Sequence, residues 1–186
     1  NNVQAHSVGY PASSFYVYEQ VYDNGGKPIE GLYVDSNGDN VINDDDRYFF
    51  HNPNADFTMG FSSKLIYKDF DFGFTLRASV VNFVYNDVAA DGAYVGQSGV
   101  LSTSGFLANK PQSAFETNFV GRTNWYFSDY YVQNASFLRC DNITLGYSFK
   151  KVLNVIQSGR LSATVQNPFV ITKYKGLDPE IFGGID

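Results

Sequence analysis

From Phe57 to Val80 apolar and polar residues alternate through two runs of about ten residues each, a period-two signal that few folds can accept. Phe57, Met59, Phe61, Leu65 and Tyr67 fall on one side of the first run, while Thr58, Gly60, Ser62, Lys64 and Lys68 fall mostly on the other. After the tight Lys68-Asp69 connection, Phe70, Phe72, Phe74, Leu76, Ala78 and Val80 oppose Asp71, Gly73, Thr75, Arg77 and Ser79. Successive strand side chains point to opposite faces, so the pair is a β-hairpin with one apolar face. Ten residues is also roughly the length that a tilted strand needs to cross a bilayer. A second hairpin is expected over 135–167. Its first strand, Phe137 to Phe149, sets Ile143, Leu145, Tyr147 and Phe149 against Asn142, Thr144, Gly146 and Ser148, and Leu161 to Gln166 returns. Lys150 to Gly159 is expected to join them, with one helical turn around Val152, Leu153 and Ile156.

The remaining chain lacks sustained periodicity. In 1–55 a strand-like run, Phe15 to Tyr22, is stopped by Asp23-Asn24-Gly25-Gly26, and Ile29 to Val34 leads into an acidic stretch, Asp35 to Asp46. Residues 86–134 are interrupted by Gly92, Gly96, Gly99, Gly105, Pro111 and Gly121; a connection this long is uncommon in a compact domain. Its aromatic clusters argue against disorder throughout. Membrane barrels have short periplasmic turns and long outer loops. That rule makes 56–85 and 135–167 wall hairpins, and 1–55, 86–134 and 168–186 extracellular. Four strands cannot close such a barrel, which needs at least about eight.

Composition fits. Tyr (14) and Phe (17) dominate the aromatics, as expected of strands that carry aromatic girdles at the membrane interfaces. No stretch approaches the apolar run of a membrane-spanning helix, which a barrel does not need. A net charge of −6 argues against nucleic acid as a partner, since phosphate calls for a basic face. The single cysteine, Cys140, excludes a disulfide framework and is read as a small buried or lipid-facing residue. Asn1 is preceded by no initiator Met and followed by no basic and apolar leader, so the start of the protein is expected upstream.

Several blocks resemble the C-terminal region of SusC/RagA-type TonB-linked outer-membrane proteins of the Bacteroidetes. They are Gly9-Tyr10-Pro11 with Ser14 to Tyr18, Tyr33 to Asp39 running through Asp45-Asp46-Arg47, and Asn52 to Phe61. Later come Ala135 to Arg139 with Asn142 to Tyr147, and Val165 to Phe169 with Thr172 to Glu180. The resemblance implies an all-β fold: the C-terminal strands of a large antiparallel transmembrane β-barrel of about 22 strands with long extracellular loops. It further implies an outer-membrane location, a SusD-like surface lipoprotein as lid, energy from the TonB system, contact with outer-membrane lipid, a glycan or peptide substrate, and a homodimer of the complex. In the family the chain runs on past a Gly-Gly-Ile-Asp such as Gly183 to Asp186 into a last strand, and the plug and TonB box lie in other parts of the protein.

Asp35 to Asp46 places oxygen ligands at the spacing of an EF-hand loop: Asp35, Asn37, Asp39, the Val41 carbonyl, Asn43 and Asp46. Ca²⁺ is therefore the expected cofactor, with Asn40 where glycine is usual and Asp46 where glutamate is usual; an Asx-rich turn without metal is the equal alternative. Arg77 and Arg139 fall mid-strand, where facing lipid is costly, so they should face the lumen or the plug, where they either contact plug or substrate or, as the more common role, set the electrostatics of the wall. Trp125, Tyr126, Phe127, Tyr130 and Tyr131 could stack on sugar rings or meet a lid, with plain packing within the loop the expected role for most of them. Asp44 to Asp46 and Asp178 with Glu180 lie in polar runs and not in an apolar pocket that would raise a carboxyl's pKa, and His6 and His51 have no nucleophile beside them. Catalysis is not expected. The competing reading is a secreted Ca²⁺-binding β-sandwich for carbohydrate binding or adhesion, which would bury one face of every strand.

Overall fold

A computed structural model describes residues 2–93, 109–117, 119–120, 125–152 and 156–186. In chain order its strands are β1 (Gln4–Ala5), β2 (Ser14–Tyr18), β3 (Gln20–Tyr22), β4 (Pro28–Tyr33), β5 (Arg47–Phe50), β6 (Phe57–Tyr67), β7 (Phe70–Val80), β8 (Phe83–Tyr85), β9 (Val132–Asn134), β10 (Phe137–Val152) and β11 (Ile156–Thr172). Among the described residues there are also two short helices, α1 (Asp87–Gly92) and α2 (Gln112–Thr117), and 3-10 turns at Asp44–Asp46, Trp125–Phe127 and Asp129–Tyr131. The chain forms two compact units: 55–81 with 135–173, and 1–54 with 82–134 and 174–186.

The first unit is one antiparallel sheet in the order β11-β10-β7-β6. The β6–β7 hairpin turns at Lys68 and Asp69, and Lys68 takes φ 54° to do so. Both strands of the second hairpin run further than periodicity suggested. Val152 pairs with Ile156, so these two residues are strand and the expected helical turn is corrected; Leu153 lies outside the described residues. β11 continues through Asn167 and Pro168 to Thr172, where a loop was expected. The reason is a bulge. Register shifts between Cys140 and Asn142 against both neighbouring strands. Asn167, at φ 48°, and Pro168 lie opposite Asp141 at this irregularity, where a missing N–H is tolerated.

The second unit gathers the three long connections around a core of their own. Val3, Phe15, Val17, Tyr85, Ala90, Phe119 and Tyr131 are its centre, with Tyr48, Phe50, Phe83, Phe127 and Tyr130 packed around them. β1-β2-β5 form a sheet, while β3-β4 and β8-β9 are two-stranded. Phe15 and Val17 point into the core, fully buried, as alternate residues of β2 must. The segment 174–186 is fastened by Asp186: Oδ1 accepts the Asp87 amide (2.7 Å), and Oδ2 accepts the Tyr174 hydroxyl (2.6 Å) and the Leu177 amide (3.1 Å).

Candidate functional site

Register settles the two faces of the sheet. Phe61, Leu76, Cys140 and Phe169 are successive cross-strand partners, as are Leu65, Phe72, Leu145 and Ala163. This face is almost continuously apolar, and it is exposed: Phe61 at 56%, Leu65 at 60% and Leu161 at 72%. A sandwich would cover such a face, because an exposed apolar patch this large is costly in water. Lipid is the solvent that suits it. Cys140 is buried within the sheet, with Sγ 3.5 Å from the Asn142 carbonyl.

The opposite face is polar. Its hydroxyls pair across strands, Ser62 Oγ to Thr75 Oγ1 at 3.2 Å and Thr144 Oγ1 to Thr164 Oγ1 at 2.9 Å. Its charges pair as well. Arg77 Nε donates to Asp141 Oδ2 at 2.7 Å, and Arg160 grips Asp71 with Nε to Oδ2 at 2.9 Å and Nη2 to Oδ1 at 2.6 Å. Together with Lys64, Ser62 and Asn142, the Asp71–Arg160 pair lines a shallow depression of ≈ 380 Å³. Arg77 and Arg139 are cross-strand partners on this face, and the Arg139 guanidinium lies 5.6 Å from the Phe137 ring centre. Asp71, Asp141 and Arg160 were not singled out from sequence. Asp71 and Arg160 carry one signal, charges of opposite sign on the polar parity of two strands of one sheet with Gly146 of the strand between leaving room, whereas Asp141 falls at the bulge, where parity shifts, and carries none.

In the other unit the acidic stretch folds into a network of turns. Asp35 accepts the Gly38 and Asn40 amides (both 2.7 Å), Asn37 that of Asp39 (2.9 Å), Asp39 that of Val41 (2.8 Å), and Asn43 that of Asp45 (2.8 Å). Asn40 adopts φ 63°, as its left-handed tolerance allows. Asp46, fully buried, accepts the Asn43 and Ser36 amides at 2.9 Å each. These amide donors, Asn43 first, hold its carboxyl below the usual range. Among the described residues no group of three or more His, Cys, Asp or Glu is arranged to hold a metal ion. The calcium expectation for Asp35, Asn37, Asp39, Val41, Asn43 and Asp46 rests on their spacing.

The aromatic candidates are mostly packed. The backbone of Trp125 begins a 3-10 turn, and its side chain lies outside the described residues. Tyr126 is exposed at its surface but tied down: its hydroxyl donates to Asp87 Oδ1 at 2.6 Å, a bond that helps push the phenol up to about 12. Its carbonyl accepts the Tyr85 hydroxyl. Tyr130 stacks edge-on against Tyr131, 5.1 Å between ring centres. His51 lies flat on Phe83, at 3.6 Å and 8°, and His6 Nδ1 accepts the Ser13 amide at 3.4 Å.

No family model matches the chain. Over 188 residues, 99% of its length, it is 52% identical to the TonB-dependent receptor SusC of Bacteroides thetaiotaomicron. Two TonB-dependent receptors of Formosa agariphila are 30% identical over 92% and 81% of the chain. The matched stretch is 18%, 19% and 16% of those three proteins, so the chain spans about a fifth of their length or less. Among solved structures, the RagAB peptide importer in its open-open state matches the whole chain with a TM-score of 0.73 at 24% identity, over 22% of that protein's chain. The closed-closed state matches 99% of the chain with a TM-score of 0.66. With its lipid-suited wall strands and more than half its residues shared with one such receptor, the chain belongs to the SusC/RagA-type TonB-dependent receptors, as a stretch of an outer-membrane β-barrel.

Proposed function

We propose that this chain supplies part of the wall and of the outer surface of a TonB-dependent importer that takes up oligosaccharides or oligopeptides with a SusD-like surface lipoprotein. The two-faced sheet carries this reading. One face is apolar and exposed along its length, while the other is built from hydroxyls and paired charges that suit a wet lumen. Connectivity supports an orientation. β6 is entered from, and β7 leaves into, the unit made of the long connections, whereas only Lys68 and Asp69 close the other end. The two-residue end faces the periplasm and the long connections face outward. Arg77 and Arg139 then belong to the lumen wall, and Tyr126 and Tyr130 to the outer surface. The role is transport and not catalysis.

The test uses the complete protein in its native outer membrane, with uptake of labelled oligosaccharide and oligopeptide pools measured with and without a functional TonB system. Uptake of one pool is expected to vanish without TonB, and a surface lipoprotein is expected to co-purify in detergent. Recovery of the protein as a folded, detergent-free monomer in plain buffer would overturn the reading.

A further inference from the structure

The loop 35–46 and the aromatic turn 125–131 are almost eighty residues apart in sequence, yet two consecutive residues of β5 hold both. The loop ends in the Asp44–Asp46 turn, which runs directly into Arg47. Arg47 Nη2 reaches back to Asp44 Oδ1 at 2.9 Å, and Tyr18 donates its hydroxyl to the same oxygen at 3.3 Å. The Arg47 side chain is only 6% exposed. Its guanidinium lies 4.1 Å from the Phe127 ring centre and 5.0 Å from that of Tyr18. The next residue, Tyr48, donates its hydroxyl to Asp129 Oδ2 at 2.7 Å. Asp129 Oδ1 in turn accepts the Gln20 amide at 3.1 Å, and the Ser128 hydroxyl donates to Gln20 Oε1 at 2.8 Å.

We propose that the acidic loop and the aromatic turn form one conformational device, coupled through Arg47 and Tyr48, so that loosening either end loosens the other. The physical reason is that Arg47 cannot keep both partners independently. A guanidinium buried against an aromatic face stays there because an anion compensates its charge. When Asp44 leaves, the cation must seek water, and Phe127 loses the plane on which it packs. Disturbing Phe127 exposes Arg47 to water and weakens its hold on Asp44. Coupling of this kind is reciprocal. Its consequence is that the state of the loop sets the order of the segment bearing Tyr126 and Tyr130. The coupling stands whether or not those tyrosines meet a partner.

The experiment is amide hydrogen exchange on the complete protein in detergent, comparing peptides over 36–46, 125–131 and β10. Asp44→Asn should raise exchange across 125–131 by at least about fivefold while β10 stays unchanged. Phe127→Ala should raise exchange across 36–46 by a similar factor, and the double variant should add little to either single change. Asp46→Asn, which unlatches the loop from within, should loosen both segments. If that variant does not fold, Asp44→Asn decides alone, since the Asp44 side chain is 68% exposed and its replacement leaves the core intact. A loop that loosens while 125–131 keeps its protection, no change anywhere, or additive effects in the double variant would each overturn the coupling.

Discussion

Arg160 on β11 reaches past β10 to grip Asp71 on β7 with two hydrogen bonds, 2.9 Å and 2.6 Å long. The intervening strand offers Gly146, the cross-strand partner of both Asp71 and Ser162. A Cβ placed on Gly146 would collide with both the Asp71 carboxylate and the Arg160 guanidinium. The glycine is what lets a charge pair span three strands.

Gly146→Ala should therefore force the pair apart or bend the sheet, at a cost of about 1–3 kcal/mol as for other overpacked sites. Urea unfolding of the complete protein in detergent, with Gly73→Ala as control, checks this. Gly73 has only one carbonyl near its would-be Cβ, at 3.6 Å, so its replacement should cost less.

The two faces predict opposite responses to one substitution at neighbouring positions. Phe61 and Ser62 lie at the middle of β6, on the apolar and polar faces. Phe61→Arg places a cation at the depth of the bilayer midplane and should cost about 2–4 kcal/mol, whereas Ser62→Arg points to the lumen and should cost far less. Refolding equilibria in lipid vesicles separate the two. A larger cost for Ser62→Arg would mean that the faces have been assigned the wrong way round, and equal costs that neither face is turned to lipid.

Asp46 and Asp129 should respond to acid in opposite senses. The amide of Asn43, then those of Ser36 and Asn37, holds Asp46 below its usual value, so its ionised form stabilises the fold. That stabilisation is complete above the ordinary carboxylate value near 4 and is lost as pH falls through the lowered one. Burial is the main cause that raises Asp129, outweighing the bond from Tyr48. Its ionisation is destabilising, an effect that sets in as pH rises from the ordinary value through the raised one and is constant above. Exchange corrected for intrinsic rates, from about pH 3 to 7, should show 36–46 loosening at the acid end in the parent, and 128–131 tightening there in the Asp46→Asn variant, whose loop no longer titrates at that position. Asp46→Asn and Asp129→Asn should each flatten the corresponding profile.

How much was legible in advance follows from which forces are local. Alternation announced β6, β7 and most of β10, because each strand has one apolar face and that pattern is written in consecutive residues. Asn167-Pro168 reads as a break in β11, and only the bulge at Asp141 on the neighbouring strand explains why the strand continues. The outer segments read as loops because their core is assembled from afar: Phe15, Tyr85, Phe119 and Tyr131 meet in space but share no period. Arg77 drew attention as a mid-strand charge, yet its partner Asp141 is sixty-four residues on, and pairing at that distance leaves no local trace.

The clamp at Asp186 makes a last prediction about how the outer unit closes. One carboxylate accepts the Asp87 amide at the start of α1, the Tyr174 hydroxyl and the Leu177 amide. Gly176 sits so close to Tyr174 and Asp186 that any side chain there would strike both. Tyr174 is buried, and burial followed by its bond to Asp186 raises its phenol above the ordinary value. Replacing Asp186 by Ala leaves three donors to find water or other partners, and hydrogen bonds to a charged acceptor are worth about 1.5–3 kcal/mol each. Since the Tyr85 amide also donates to the Gly184 carbonyl and the Tyr85 carbonyl accepts the Asp186 amide, the segment should fray without the whole unit unfolding. Limited proteolysis of the complete Asp186→Ala protein should cut within 174–182 well before any wall strand is touched. Asp186→Asn, which keeps one acceptor oxygen, should fall between this variant and the parent. If the Ala variant resists cleavage as the parent does, the carboxylate is not what holds the segment down.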